Sequence, residues 1–379
     1  MDSRVIESDT VIVGASAAGL AAAACLKRAG LPFVLLEQSS SVGGAWRGHY
    51  DRLHLHTSKG LSSLPHLPFP PRVPRYPGRA EVVEYLEAYS KNFQLAPLFG
   101  QRVSSVRHEE NAWVTRSQDS AYRSRNVIVA TGYTRVPNRP VWPGQESFEG
   151  PVLHSSEYRN GAPWKGKRVL VVGLGNSGGE IALDLWEHGA HPSLLVRSAV
   201  NVVPRDFLGL PILAWGIALS LLPVRVADAI AALVSRVTIG SLDHTGLQKL
   251  PYGPMAQIRS TARIPLLDIG TIARIRRKEI EVVPGIESFT PHGVRLTNGT
   301  ESRFDAVVLA TGYRPALGAF VEAAAALDSR GTPLKSGVET LPGLYFCGFH
   351  VAPTGMLREI GREARRIAGA IAERRSLAR

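Results

Sequence analysis

Two glycine-rich turns, one acid and one arginine are the residues of this chain whose types and spacing can do chemistry. The first turn is Val11-Ile12-Val13-Gly14-Ala15-Ser16-Ala17-Ala18-Gly19, and the second is Arg168–Val172 followed by Gly173-Leu174-Gly175-Asn176-Ser177-Gly178. In a turn of this kind the first glycine makes the bend and the second lets backbone approach a pyrophosphate. The third lets the following helix pack on the strand. A residue about 20 positions further on then reads the adenosine ribose. Glu37 stands 18 positions after Gly19, where a carboxylate can accept hydrogen bonds from ribose hydroxyls. Arg197, with Ser198 beside it, stands 19 positions after Gly178 and offers a cation to a 2′-phosphate instead. The residue types predict FAD at the first turn and NADPH at the second. The middle glycine of the first turn is replaced by Ser16, whose side chain must point away from the pyrophosphate or bond to it.

The elements that must position these residues follow from the pattern around them. Thr10–Val13 reads as a strand, Leu20–Ala29 as a helix ended by Gly30, and Phe33–Leu36 as a second strand. Gly43 and Gly44 allow backbone close to a ligand, and Trp46 offers a flat wall that suits a flavin ring or plain core. The Pro-rich stretch 64–77 predicts an ordered loop or a flap. A helix over 81–89 and strand-like patterns around 101–107 and 112–116 come next. A buried strand over 127–130 then ends in Ala130-Thr131-Gly132-Tyr133. The same ending recurs as Ala310-Thr311-Gly312-Tyr313 after an apolar strand, so the architecture is built twice. In the second half a helix over 180–188 and a strand over 193–196 complete the unit. The fold expected is α/β, with two Rossmann-like dinucleotide-binding domains and the second inserted in the first. Residues 1–159 and 306–379 would form the FAD domain, and 160–305 the NADPH domain, with an apolar hairpin insertion around 207–236.

A chain of 379 residues is long enough for two such domains. Its 44% hydrophobic and 20% charged residues are those of an ordered globular protein. The net charge of +12 comes from dispersed arginines, densest at 274–278 and 362–379, and predicts a solvated basic surface. No basic-plus-aromatic motif points to nucleic acid. Cys25 and Cys347 are the only cysteines and form no CxxC pair, which argues against a disulfide reductase. The first ten residues are polar and contain three acids, so no signal peptide is expected, and the location expected is cytoplasmic. The run 207–223 has no charge but falls short of the roughly 20 residues a spanning helix needs, leaving peripheral membrane contact open.

Phe148, Gly150, His154 and Tyr158 match F-x-G-x-x-x-H-x-x-x-Y, which resembles the identifying motif of flavin-containing monooxygenases. Baeyer–Villiger enzymes usually carry Trp where this chain has Tyr158. The resemblance extends over essentially the whole chain to the YUCCA-type branch, which converts indole-3-pyruvate to indole-3-acetate. Val196-Arg197-Ser198, Val203-Pro204-Arg205, Leu222-Pro223-Val224-Arg225, Ile264–Gly270 and Gly343-Leu344-Tyr345 all look like that branch. At His56-Thr57-Ser58-Lys59 the chain combines the histidine of that branch with the T-S-K of its relatives, which have N-T-S-K.

The resemblance implies a monooxygenase in which NADPH reduces FAD and the reduced flavin forms a 4a-(hydro)peroxide with oxygen. Deprotonated, that species attacks the ketone of an aryl 2-oxo acid; protonated, it gives N- or S-oxygenation of a soft nucleophile. His56, Lys59 and Tyr158 are the catalytic candidates, with Lys59 or Arg205 available to hold a substrate carboxylate. His154 and Tyr158 are expected to shape the linker rather than act as acid or base. His56, Thr57, Val103, Met356 and Leu357 complete the expected flavin site. A non-catalytic, nucleotide-sensing flavoprotein is the remaining reading from another class.

Overall fold

The computed structural model describes residues 4–118 and 120–377. Residues 1–3 of the polar start and 378–379 of the basic C-terminal run lie outside them. Two compact units emerge. One takes in the chain up to Arg47, Thr57–Val136 and the chain from Tyr313; the other takes in Gly48–His56 and Pro137–Gly312.

In the first unit, strand β1 (Arg4–Val13) leads into helix α1 (Ala17–Arg28) and strand β2 (Val34–Leu36). Strand β3 (Ser120–Val129) pairs with β1, and the sheet continues through Leu344–Phe346, so that β2, β1, β3 and Leu344–Phe346 run parallel. An antiparallel pair, Ser105–Glu109 with Ala112–Arg116, extends from β3. Ten consecutive residues of α1, Ala17–Leu26, are buried, which only a helix of mostly small side chains tolerates. The second wall against it is the C-terminal helix Met356–Leu377, which buries Leu357, Ile360, Ala364, Ile367 and Ile371 at three- to four-residue spacing and turns its arginines out.

The second unit repeats the design. Strand β4 (Arg168–Val172), helix α2 (Asn176–Glu187) and strand β5 (His191–Leu195) follow in order. The sheet is fully parallel, in the order Glu281–Val283, β5, β4, Ala306–Leu309, Val152–His154. The segment 148–158 thus contributes an edge strand to this sheet, because Val152–His154 takes its register from Val307–Leu309. Its Phe148 packs with Leu170, Val172 and Phe289 in this unit's core.

The apolar run after 206 is a hairpin only at Asp206–Phe207 and Leu210–Pro211. The remainder forms helices Ile212–Leu219 and Val224–Thr238, so the expected hairpin over 207–236 is mostly helical. Pro211 and Pro223 do not break these helices. Each occupies the N-cap, where its missing N–H costs nothing. No helix of the described residues is long and apolar enough to cross a membrane.

Candidate functional site

The two glycine turns are built by the same contacts. Gly14 has φ +105° and Gly173 φ +106°, a left-handed bend that favours glycine. A Cβ on Gly14 would lie 2.9 Å from the Ala130 carbonyl oxygen, and one on Gly173 would lie 2.8 Å from that of Ala310. The repeated Ala-Thr-Gly endings therefore sit directly beneath the turns. Gly14 N–H donates to Leu36 O at 2.7 Å and Gly173 N–H to Leu195 O at 2.9 Å, closing each loop on its neighbouring strand. A Cβ on Gly19 would come within 1.7 Å of Gly14 O, and one on Gly178 within 2.0 Å of Gly173 O, so each helix packs under its own loop only with glycine there.

At the middle position the two turns differ without strain. Ser16 caps α1 with φ −102°, and Gly175 caps α2 with φ −104°. Any residue adopts that backbone. Neither cap residue bonds its helix through a side chain, so the first-turn N–H groups keep their capacity for an anion. No atom would lie within 4 Å of a Cβ on Gly175, which is the open backbone approach a pyrophosphate requires.

In the first unit a cleft of about 300 Å³ opens over the loop. Gly14, Ser16, Glu37, Gly44, Val103, Ala130 and Thr131 line it together. Ala17, Ala18 and Gly19 form the first turn of α1 behind Ser16, and Gly132 follows Thr131 with φ +69°. Trp46, Thr57, Met356 and Leu357 belong to the same unit but not to this lining. The Glu37 carboxylate accepts from Ala15 N–H at 2.6 Å, Ser39 N–H at 2.9 Å and the Ser39 hydroxyl at 2.8 Å. Three of its roughly four lone-pair positions are used, leaving one toward the cleft. The cleft residues fit the adenosine and pyrophosphate of a dinucleotide. Sequence reasoning missed Gln101 and Arg135, which also line it. Arg135 follows the first Ala-Thr-Gly-Tyr, stacks over Phe320 and donates to Ala316 O, bringing a held cation to the cleft.

In the second unit Arg197 and Ser198 are exposed just past the end of β5. Arg197 has no ion-pair or hydrogen-bond partner among the described residues, so its guanidinium is available to a phosphate. Asn176 is engaged: its side-chain oxygen accepts from Leu267 N–H at 2.8 Å. Thr311 donates its hydroxyl to Asn138 O at 2.5 Å, and Gly312 takes φ +77°. Tyr313 belongs to the first unit.

The motif residues His154 and Tyr158 are scaffold. His154 is fully buried; its Nε2 donates to Gly312 O at 3.0 Å, and its Nδ1 accepts from Ser156 N–H at 3.2 Å. Burial holds its pKa below the ordinary imidazole value. The unfolded chain therefore takes up a proton near pH 6.5 that the folded protein refuses, and stability falls as pH drops below that value. His154→Gln should narrow the difference between urea midpoints measured at about pH 8 and about pH 5.5.

The Tyr158 hydroxyl donates to Asp184 Oδ2 at 2.6 Å, fastening the segment to α2. Desolvation, then the Asp184 bond, push its pKa far up, which removes it as an acid or base at neutral pH. Tyr158→Phe leaves a buried carboxylate short of a donor and should destabilise the protein by about 1–3 kcal/mol in chemical denaturation.

Lys59 is likewise occupied, its ammonium donating to Pro71 O at 2.6 Å and Val73 O at 2.5 Å. Thr57 bonds Ser62 at 2.5 Å. The lysine of the motif thus braces the Pro-rich loop, while Thr57 is bonded to the short helix Lys59–Ser62. Arg205 pairs with Asp206 at 3.1 Å. His56 keeps a polar atom uncommitted: its Nε2 meets Glu180 Oε1, while its buried Nδ1 has no partner among the described residues. Cys25 and Cys347 are free and buried, and burial pushes the Cys25 thiol up to about 11, so neither is poised for disulfide chemistry.

The family described as pyridine nucleotide-disulphide oxidoreductase matches residues 11–205, which hold both glycine turns. The chain is 41% identical over 350 residues to the indole-3-pyruvate monooxygenase YUCCA1 of Oryza sativa subsp. japonica, covering 89% of this chain and 86% of that one. It is 38% identical over 356 residues to the probable indole-3-pyruvate monooxygenase YUCCA4 of Arabidopsis thaliana, covering 92% and 86%. A variant of the flavin monooxygenase from Stenotrophomonas maltophilia has a similar structure, with TM-score 0.75 at 27% identity over 97% of this chain and 99% of the other.

Proposed function

The chain belongs to the YUCCA-type flavin monooxygenases, within the broader pyridine nucleotide-disulphide oxidoreductase family, and from that premise we propose that its substrate is an aryl 2-oxo acid such as indole-3-pyruvate. It is a flavin-dependent monooxygenase that works with FAD and NADPH. The flavin supplies, when bound, acceptance of hydride from NADPH and activation of dioxygen. The reaction consumes the 2-oxo acid, NADPH, a proton and O2. It yields the acid shorter by one carbon, CO2, NADP⁺ and water. The bond between the ketone and carboxyl carbons breaks, one oxygen atom enters the new carboxyl, and the other leaves as water.

The residues take these parts. Gly14, the first turn of α1 and the remaining lone pair of Glu37 hold the pyrophosphate and ribose of FAD, with Arg135 adding a cation. Gly44, Trp46, Thr57, Val103, Met356 and Leu357 serve the rest of the FAD. Gly173, Gly175, Ser177 and Gly178 hold the pyrophosphate of NADPH, and Arg197 with Ser198 takes its 2′-phosphate. Asn176 ties this loop to Leu267, while Thr311 and Gly312 fasten the second Ala-Thr-Gly-Tyr to Asn138 and His154.

One observation carries the substrate: the relatives at 38% and 41% identity over about nine-tenths of the chain are named for indole-3-pyruvate. The Thr-Ser-Lys shared with the other branch does not weigh against it, because the Lys59 ammonium is taken up in holding the Pro-rich loop. A substrate panel tests the reading. Indole-3-pyruvate and phenylpyruvate should each yield the shortened acid, while trimethylamine and a thioether should not stimulate NADPH oxidation. An N-oxide or sulfoxide as the main product would overturn it in favour of soft-nucleophile oxygenation.

A further inference from the structure

His56 ends the segment Gly48–His56, which is fastened to the second unit at several points. Asp51 N–H donates to Arg159 O at 2.8 Å, Asn160 donates to the Asp51 carboxylate at 2.8 Å, and Arg52 pairs with Glu187 of α2. Tyr50 packs edge-on against Tyr158, with ring centroids 6.5 Å apart. At the end of this brace His56 Nε2 meets Oε1 of Glu180, a residue of α2 two positions past the last glycine of the dinucleotide turn. The Glu180 side chain is 2% exposed and the His56 side chain 15%. His56 Nδ1 and Glu180 Oε2 are each buried and without a hydrogen-bond partner among the described residues. A buried polar atom left so is costly, which points to a partner the chain does not itself provide.

We propose that Glu180 is a positioning residue that keeps a proton on His56 Nδ1, so that this N–H donates to an oxygen of the 2-oxo acid. Charge decides where the proton sits. The pair can be a carboxylate with an imidazolium, a carboxylic acid with a neutral ring, or a carboxylate with a neutral ring. The third arrangement buries an uncompensated negative charge, which the interior penalises most. In both of the others the shared proton lies between Nε2 and Oε1, and the second ring proton is on Nδ1. A 2-oxo acid presents only acceptor oxygens to such a donor. A thioether or tertiary amine presents no oxygen at all, so the dyad selects substrate as well as orienting it. The substrate half of this inference rests on the function proposed above; the proton placement does not.

Two measurements test it separately. In the full-length protein labelled with ¹⁵N-histidine, with and without its flavin, His56→Asn assigns the resonances of His56 among the eleven histidines. The Nδ1 resonance of His56 should show an attached proton, and an unprotonated Nδ1 overturns the proposal. In kinetics, Glu180→Leu should raise the KM for indole-3-pyruvate by about ten- to a hundredfold, with the KM for NADPH within about twofold. On a His56→Asn background the same substitution should add little, since the two residues act through one N–H. Equal losses on both backgrounds would make Glu180 merely structural and overturn its positioning role. If Nδ1 is protonated but no 2-oxo acid is turned over, the substrate half falls with the proposed function and the proton placement stands.

Discussion

Arg197→Glu should raise the KM for NADPH by about a hundredfold while leaving the bound flavin in place. A charge-assisted hydrogen bond to phosphate contributes about 1.5–3 kcal/mol, roughly one to two orders of magnitude, and the new carboxylate adds repulsion. The guanidinium is exposed beyond the end of β5 and has no competing partner among the described residues, so its loss is felt by the ligand and not by the fold. NADH lacks the 2′-phosphate, and its KM should move far less, closing the gap between the two reductants. Steady-state NADPH and NADH oxidation at fixed substrate measures both. An unchanged ratio would mean that the 2′-phosphate is read elsewhere.

The second large effect lies in the first turn. Gly19→Ala places a Cβ within 1.7 Å of the Gly14 carbonyl oxygen, a backbone atom that cannot step aside without moving the loop. The variant should lose its flavin on purification and about 3 kcal/mol of stability or more. Gly175→Ser is the informative contrast. That position has open space around its Cβ, and Ser16 already occupies the matching place in the first unit at nearly the same φ. It should fold with an unchanged thermal midpoint and show only a weakened grip on NADPH. Flavin content by absorbance and thermal unfolding separate the two outcomes.

Much of this could be read along the chain because the turns are local. Gly14, Gly19, Gly173 and Gly178 are demanded by contacts with atoms that the same strand–turn–helix pattern brings beneath them, and Ala130 and Ala310 recur because each supplies one such carbonyl. Arg197 stands out by its count from Gly178, and the structure leaves it exposed beyond the end of β5. What escaped was side-chain traffic between distant segments. Nothing in the spacing pairs His56 with Glu180 or Tyr158 with Asp184, and nothing local says that the Lys59 ammonium is taken up by the carbonyls of Pro71 and Val73. The helices Ile212–Leu219 and Val224–Thr238 each start at a proline, a residue type that interrupts a helix inside it but not at its N-cap. Family motifs marked His154 and Tyr158 as important without saying why. Their buried hydrogen bonds to Gly312 and Asp184 give the reason, which is structural.

The most direct test of the proposed chemistry is a stoichiometry under ¹⁸O2 with indole-3-pyruvate and NADPH. The account predicts one indole-3-acetate and one CO2 for each NADPH consumed, with a single ¹⁸O in the acid and none in the CO2. NADPH consumption that yields hydrogen peroxide in its place, or acid without label, would contradict it.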